Sequence, residues 1–499
     1  MEKLKRIICS LLLLWLTTFC AQTKYDQVVP TADTAKGIKK SFSLYLNQTT
    51  GKINPLFWGT NFLFWVEDDA ALQDKIIETS LKNMPCTVLR YPGGTVADNF
   101  HWKTNMLGNK YLYPYEQGDS ETNFDEFYAF CTRIGAEPVL VVNTDSWCIN
   151  QNIDGGVKEA ADWVQYCKDK GYKAKYWEIG NETYLSPFLT ATEYGQLVKK
   201  YAMAMKSIDP TIKISANGQH DPNGVSTKER IPAAQWEVIR QMYQNIASST
   251  DASDAKQYVN KYKDPNDTNG TQKWWNNVAV ECGDYIDMIT VHSYFGGSND
   301  MSDMTAELNS VRDVFKAKFP NRDYMMCLTE YNCTNTSLSL NVSGLFDGIG
   351  RFLTAGVEIA TFWPLRFSGT FTNDFPMLTY TTKDASFAYQ ILQLLSTNLK
   401  GNLLKISPVD QIFPYASYDR NQLTVVVCGR RITSDPVSVT MSLSEMNQFT
   451  LVDAKAYDAP ALYRESVGLV TSNVSTTISD TTCVFKVMPS QTVILRFTK

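Results

Sequence analysis

The chain has 499 residues, 44% of them hydrophobic and 20% charged, and a net charge of −5. This is ordinary globular composition, which excludes a disordered chain. Basic residues form no long block, which argues against nucleic acid or an anionic membrane surface as a partner.

Lys3, Lys5 and Arg6 precede an apolar run over 7–16, and Thr17 and Thr18 follow it. A charged start before an apolar stretch too short to span a bilayer, which needs about 20 residues, is the pattern of an export signal. Residues 1–21 are therefore expected to be a signal peptide, placing the mature protein outside the cytoplasm, secreted or periplasmic. Cys20 offers an alternative as a lipid-acceptor cysteine. No later segment is apolar enough to cross a membrane. A polar linker is expected over 22–40 and a strand over 41–50.

From 51 to 396, apolar β-type runs alternate with segments of helical period. Eight such runs stand at 55–62, 87–91, 137–143, 175–180, 213–216, 285–292, 324–330 and 358–364. Between them lie amphipathic patterns such as 124–133, where Phe124, Phe127, Tyr128 and Cys131 share one stripe, and 194–206. Eight strands, each followed by a helix, predict an α/β fold, a (β/α)8 TIM barrel. The fifth connection, from Gly218 to about Gly283, is long and lies on the strand-to-helix side, the active face of such barrels. Past residue 397 the runs 423–428, 437–441, 449–452, 482–487 and 492–497 are short, β-rich and separated by turns. They predict a C-terminal antiparallel β-sandwich over 397–499, joined by the early strand at 41–46.

Of 11 cysteines, Cys9 and Cys20 lie in the signal. The other nine are scattered with no CxxC pair, which argues against structural zinc, and Cys131, Cys167 and Cys327 read as small core residues. With three histidines in the chain, no metal and no cofactor is expected.

Chemistry concentrates in Tyr176-Trp177-Glu178-Ile179-Gly180-Asn181-Glu182, at the end of the fourth run. An Asn-Glu pair at a strand end lets the carboxyl act as general acid while the amide binds a sugar 2-hydroxyl. Glu178 would share a facing with Glu182 only if the strand stayed regular through Gly180. The second carboxylate is Glu330, ending the seventh run, 330 − 182 = 148 positions away. Carboxyls about 5 Å apart across one barrel mouth suit a retaining double displacement; an inverting pair needs roughly 6.5–9.5 Å.

Asn-Glu closing strand four and Glu closing strand seven resembles the retaining clan A of (β/α)8 glycoside hydrolases. Within it the chain is most similar to the α-L-arabinofuranosidases of family 51. The motifs that carry this are LRYPGGTVADNFHW (89–102), NFDEFYAFCTRIGAEPVLVVN (123–143), EIGNE (178–182) and the opening GKINPLFWGTNF (51–62). The resemblance implies an oligosaccharide or polysaccharide substrate, Glu182 as acid/base and Glu330 as nucleophile, with Asn181 at the 2-hydroxyl. It further implies that His292 and Tyr294 position and polarise the nucleophile, that Trp363 is a sugar platform, and that Arg90 pairs near the nucleophile. Asn143, which closes the strand-three motif, is taken with them as substrate-binding. Trp65, Trp102 and Trp147 are candidate subsite walls.

The chain departs from the family in three places. Phe62-Leu63-Phe64 stands where the family carries a sugar-binding glutamate, Thr95 replaces its strand-two asparagine, and Thr329-Glu330-Tyr331 replaces Asp-Glu-Trp. An α-L-arabinofuranosidase-like activity is thus the first expectation. The alternatives are a β-xylosidase, β-glucuronidase or endo-glycanase of the same clan, or a non-catalytic carbohydrate-binding barrel.

Overall fold

The computed structural model describes residues 38–499 apart from 110, 113–121, 187, 221–230, 263–269, 297–300, 336, 368–374 and 461–467. The expected signal over 1–21, with Cys20, and the linker as far as 37 lie outside the described residues, as does 263–269 in the fifth connection.

A closed barrel of eight parallel strands forms the larger part. After an N-terminal strand β1 (Ile38–Lys52), the staves run in chain order: β2 (Gly59–Asn61), β3 (Val88–Tyr91), β4 (Glu137–Val142), β5 (Tyr176–Ile179), β6 (Lys213–Gln219), β7 (Met288–Phe295), β8 (Met325–Cys333) and β9 (Val357–Phe362). Each of the eight expected runs overlaps one of them. The first run yields three strand residues only, because Pro55 lacks an N–H and Asn54 caps a helical turn over Pro55–Phe57.

Helices follow every stave: α1 (Lys75–Asn83), α2 (Phe124–Ile134), α3 (Ile153–Lys170), α4 (Ala191–Ile208), α5 (Ala233–Gln244), α6 (Ser249–Asn260), α7 (Gly270–Cys282), α8 (Met304–Lys318), α9 (Leu338–Thr354) and α10 (Phe387–Asn398). Two start at reciprocal capping boxes, Asn123 with Glu126 on α2 and Thr190 with Glu193 on α4. The long fifth connection carries α5, α6 and α7. The first two bury a core of their own, with Ile239, Tyr243 and Val259 packing on Leu112 and Ile149 from the loops after β3 and β4.

Inside the barrel, an apolar floor of Val88, Val139, Tyr176, Met288, Cys327 and Ile359 supports the layers above it. The next layer is polar: Asn61, Arg90, Glu178, Thr290, Thr329 and Thr361 are all at or near zero exposure. Buried charge is tolerated only when paired and hydrogen-bonded, and this layer becomes the base of the site.

The C-terminal strands are β10 (Asn402–Ile406), β11 (Phe413–Asp419), β12 (Gln422–Cys428), β13 (Val437–Ser442), β14 (Thr450–Asp458), β15 (Val470–Asn473), β16 (Thr477–Ile478), β17 (Thr482–Val487) and β18 (Thr492–Thr498). β1 joins both layers, pairing with β10 through its second half and with β13 through its first. Phe42 and Leu44 sit in the resulting core. The pairs among the C-terminal strands are antiparallel, as expected, and of the described sandwich pairs only β1–β13 is parallel. A strand that enters from ahead of the barrel, rather than through a hairpin, is free to take either direction. Tyr415 of β11 donates to the Phe346 carbonyl of α9 at 2.9 Å, tying the sandwich to the barrel wall.

All nine described cysteines are buried thiols in no disulfide, as expected of core residues. No helix among the described residues is long and apolar enough to cross a membrane.

Candidate active site

Glu182 and Glu330 meet at the C-terminal mouth of the barrel. The chain leaves β5 at Ile179 and turns sharply, with Gly180 at φ +71° and Glu182 at φ +43°. Regular alternation therefore stops before Glu182. Glu178 points into the polar layer, where it takes the Arg90 Nε at 2.9 Å, and Glu182 stands above it at the rim.

Glu330 reaches the site by a different device. Along β8, Cys327 faces the barrel floor and Leu328 faces the helices. Thr329 then points inward, its hydroxyl 3.4 Å from Glu178 Oε1 and 3.2 Å from His292 Nε2. Strict alternation would send Glu330 outward. The register against β7 instead slips between Leu328 and Glu330, a bulge that leaves Thr329 as the extra residue. Glu330 consequently also faces inward.

Arg90 organises the base of the site. Its guanidinium donates to Glu178 at 2.9 Å, Asn61 at 3.0 Å, Glu330 Oε1 at 2.9 Å and Asn181 Oδ1 at 2.7 Å. The last bond sets the Asn181 amide so that its Nδ2, buried and without a hydrogen-bond partner among the described residues, is left to a ligand. Tyr294 donates to the other oxygen of Glu330 at 2.8 Å. The expected association of Asn181, Arg90, His292 and Tyr294 with the two glutamates is thus what the fold produces.

His292 stands between the two glutamates. Its Nδ1 lies 3.0 Å from Glu182 Oε1 and 3.6 Å from Glu330 Oε2, so it serves the acid/base candidate more closely than the nucleophile candidate. Tyr184 donates to the same Glu182 oxygen at 3.0 Å. Burial by itself would raise the Glu182 carboxyl, but the hydrogen bond and charge of His292, with Tyr184, outweigh it and hold the carboxyl low. Burial would lower the imidazole, but Glu330 and Glu182 outweigh it and raise it. Each partner thus favours the charged form of the other, and the two share one proton across the 3.0 Å contact.

The signs define a pH window. A lowered carboxylate stabilises the fold above its ordinary value of 4.5, and that contribution is lost as pH falls through the lowered value. A raised imidazole contributes below its ordinary 6.5, and its share is lost as pH rises through the raised value. The ion pair is complete between those limits. The alkaline limb of kcat/KM should accordingly fall above pH 6.5, where the pair gives up its proton, and should move toward acid in His292→Gln. A pH–rate profile of both proteins checks this; an unmoved limb would detach His292 from the proton.

Trp363 is half-buried beyond β9, and a Cβ on Gly94 would lie 2.5 Å from its ring. The ring thus lies over the glycine turn after β3. Asn143 is brought to the same end of the barrel but bonds within its own loop, accepting from the Ser146 hydroxyl at 2.9 Å; its Nδ2 has no partner among the described residues. Trp102 and Trp147 face α3: Trp102 stacks on Trp163 at 5.5 Å, and both indoles donate to Glu159. Trp65 packs edge-on against Phe64. Trp102 and Trp147 are therefore structural. Phe62, Leu63 and Phe64 are fully buried, and the next carboxylate, Glu67, is locked to Arg366 at 2.7 and 3.0 Å.

Sequence reasoning assigned no role to Asn61, Glu178, Tyr184 or Thr329. The alternation Tyr176, Glu178 in β5 was a signal for an inward carboxylate; the other three carried none.

A cavity of about 310 Å3 opens beside Glu182, lined by Thr95, Asn181, Leu185, Phe188, Tyr243 of α5 and Val259 of α6. It touches the acid/base candidate and not Glu330. Donor atoms of Glu182, His292 and Glu330 lie within 4.8 Å of one another. Such a set could hold a divalent cation, although Arg90 and the raised imidazole already place positive charge there.

Comparison with known proteins follows the same lines. The profile of the family described as "Alpha-L-arabinofuranosidase 1 domain" matches residues 80–275, which contain Arg90 and Glu182 but not Glu330. An intracellular exo-α-(1→5)-L-arabinofuranosidase of Acetivibrio thermocellus is 23% identical over 289 residues, 52% of this chain and 46% of that protein. α-L-arabinofuranosidase C of Emericella nidulans is 29% identical over 184 residues, 32% of this chain and 34% of its own. The chain thus spans about half the length, or less, of the curated relatives it matches. Among solved structures, a family 51 α-L-arabinofuranosidase from Bifidobacterium longum has a TM-score of 0.69 at 14% identity, covering 94% of this chain and all of that one. One from Thermotoga maritima has a TM-score of 0.65 at 18% identity, covering 92% and 100%. At such identity these matches show the fold: a TIM barrel with a C-terminal β-sandwich, shared over nearly the whole described chain.

Proposed function

We propose that this protein is a retaining glycoside hydrolase, α-L-arabinofuranosidase-like, in which Glu330 attacks the anomeric carbon and Glu182 serves as acid and then base. The observation that carries the reading is the convergence of the two glutamates from staves four and seven, with donor atoms within 4.8 Å. A double displacement needs carboxyls about 5–5.5 Å apart, whereas an inverting mechanism must leave room for water.

Each neighbour then has a task. Arg90 and Tyr294 occupy both oxygens of Glu330 and aim the remaining lone pairs toward the site. Asn181 Nδ2 is the donor for a sugar 2-hydroxyl, a contact that strengthens as positive charge develops on the ring. Trp363 offers a flat apolar face to the sugar C–H surface. The proton shared by His292 and Glu182 passes to the leaving oxygen on the Glu182 side, where the cavity walled by α5 and α6 receives the departing group. The charged and apolar N-terminal segment supports export of the enzyme to a carbohydrate outside the cytoplasm.

A panel of nitrophenyl glycosides, with the first-formed anomer read by proton NMR, tests the reading. The α-L-arabinofuranoside is expected to turn over fastest, with retained configuration. An inverted product would overturn the double displacement. Fastest turnover on a xyloside or glucuronide would keep the mechanism and change the sugar. Binding of a glycan with no turnover on any substrate would make this a carbohydrate-binding barrel.

A further inference from the structure

Glu182 stands on a turn that an ordinary sequence does not adopt unaided. Left-handed backbone at a residue other than glycine costs about 1–2 kcal/mol, and persists where its surroundings impose it. At Gly180 a side chain is also excluded by space, since a Cβ would lie 2.5 Å from Thr183 Oγ1 and 2.7 Å from Thr144 Oγ1.

Two buried side chains from neighbouring segments grip the backbone of this turn. From the loop after β3, Asp98 Oδ1 accepts the Asn181 N–H at 2.7 Å and the Thr144 hydroxyl at 3.0 Å. From β6, Asn217 Nδ2 donates to the Ile179 and Gly180 carbonyls, both at 2.9 Å, while its Oδ1 accepts the Thr183 N–H at 2.9 Å. The 180–181 peptide is therefore held from both flanks, by Asp98 at its N–H and Asn217 at its carbonyl, and Asn217 also holds the 182–183 peptide that follows Glu182. Asp98 is 2% exposed and Asn217 fully buried. Burial and the neighbouring Asp145 carboxyl push Asp98 well above the usual carboxylate range. Asparagine at position 98 would present the same acceptor.

We propose that Asp98 and Asn217 are positioning residues for the acid/base, a two-sided clamp that sets where the Glu182 carboxyl meets the leaving-group oxygen. This rests on the reading of Glu182 as acid/base. Proton transfer needs a heavy-atom approach of about 2.6–3.2 Å, and a misplacement near 1 Å can cost about 100-fold. Glu330 is held by Arg90 and Tyr294 from other staves, so loosening the turn should impair protonation of the leaving group more than nucleophilic attack.

The experiment measures kcat/KM for wild type, Asp98→Ala, Asp98→Asn and Asn217→Ala on two glycosides of the sugar the panel selects. One carries dinitrophenol, which departs without a proton, and the other methanol, which does not. Amide exchange over residues 180–183 is followed by mass spectrometry in the same proteins. Asp98→Ala and Asn217→Ala are expected to lose about 10–100-fold on the methyl glycoside and to stay within about 3-fold on the dinitrophenyl one. Their turn amides should exchange faster, and Asp98→Asn should stay near wild type in every readout. Equal losses on both substrates would overturn the proposal in favour of a general folding role, and so would an undiminished rate on the methyl glycoside. Should Asp98→Ala fail to fold, Asn217→Ala and Asp98→Asn decide by the same comparison. If wild type cleaves neither glycoside, it is the acid/base reading that fails. Turn amides exchanging as in wild type would then refute the clamp separately.

Discussion

Glu330→Ala is expected to lose turnover on every glycoside by on the order of 10⁴–10⁶-fold, whatever the leaving group. Glu330 is the carboxylate held on both oxygens, by Arg90 at 2.9 Å and Tyr294 at 2.8 Å, so its orientation is fixed. Without it no glycosyl-enzyme forms, and a good leaving group does not help. Glu182→Ala should behave differently, because it removes proton transfer, typically worth about 10²–10⁴-fold. On a dinitrophenyl glycoside that variant should still form the covalent intermediate and then stall for want of a base. Azide needs no base, so it should restore turnover of Glu182→Ala and give a glycosyl azide of retained configuration. Added to Glu330→Ala, the same anion enters from the vacated face and should give the inverted azide. Product stereochemistry by NMR reads both. Opposite assignments would exchange the two roles, and wild-type rates in both variants would remove both residues from the mechanism.

Arg90→Ala should produce the largest loss of stability among single changes at the site. Arg90 is fully buried and bonds four acceptors on three other staves and the turn after β5. Its removal leaves the Glu178 and Glu330 carboxylates buried with no counter-charge at their base, and orphans the Asn61 and Asn181 carbonyls. Breaking a buried pair from one side costs about 3–5 kcal/mol, far more than the net worth of the intact pair, because the remaining charge stays desolvated. A drop in the thermal midpoint of roughly 3–7 °C is expected for a chain of this size. Activity should fall with it, since Glu330 loses one of its two fixed partners. Arg90→Lys is expected to recover little of either, as one ammonium cannot present a planar fork to four acceptors in different directions. Scanning calorimetry of the two variants beside wild type makes the check. A midpoint within about 1 °C of wild type for Arg90→Ala would mean that water or a proton replaces the guanidinium at small cost, roughly under 1 kcal/mol.

Much of this protein is legible in its sequence, and the reason is that the relevant signals are local. A stave is a short apolar run, a barrel helix is a stripe of period 3.6, and their eightfold alternation leaves a closed barrel as the natural way to bury both. Glu182 and Glu330 could be read because each ends such a run, and Cys131, Cys167 and Cys327 because a small apolar residue inside an amphipathic pattern belongs in a core. Local signals also located the long fifth connection, though not the separate core that folds its helices against the loops after β3 and β4.

What only the tertiary structure decided depends on one-residue shifts and on contacts between distant segments. Alternation in a strand has period 2, so one extra residue reverses every facing beyond it. The bulge at Thr329 does this and turns Glu330 into the barrel, yet nothing in Leu328-Thr329-Glu330 marks it. Gly180 ends the alternation of β5 in the same way, separating Glu178 in the polar layer from Glu182 at the rim. Arg90 and Glu330 are 240 positions apart, and His292 and Glu182 are 110 apart. That the imidazole bonds Glu182 more closely than Glu330 follows from where β7 and the turn after β5 come to rest across the barrel mouth. Sequence determined which residues could do the chemistry; barrel closure decided which of them touch, because a hydrogen bond depends on tenths of an ångström that only the packed staves set.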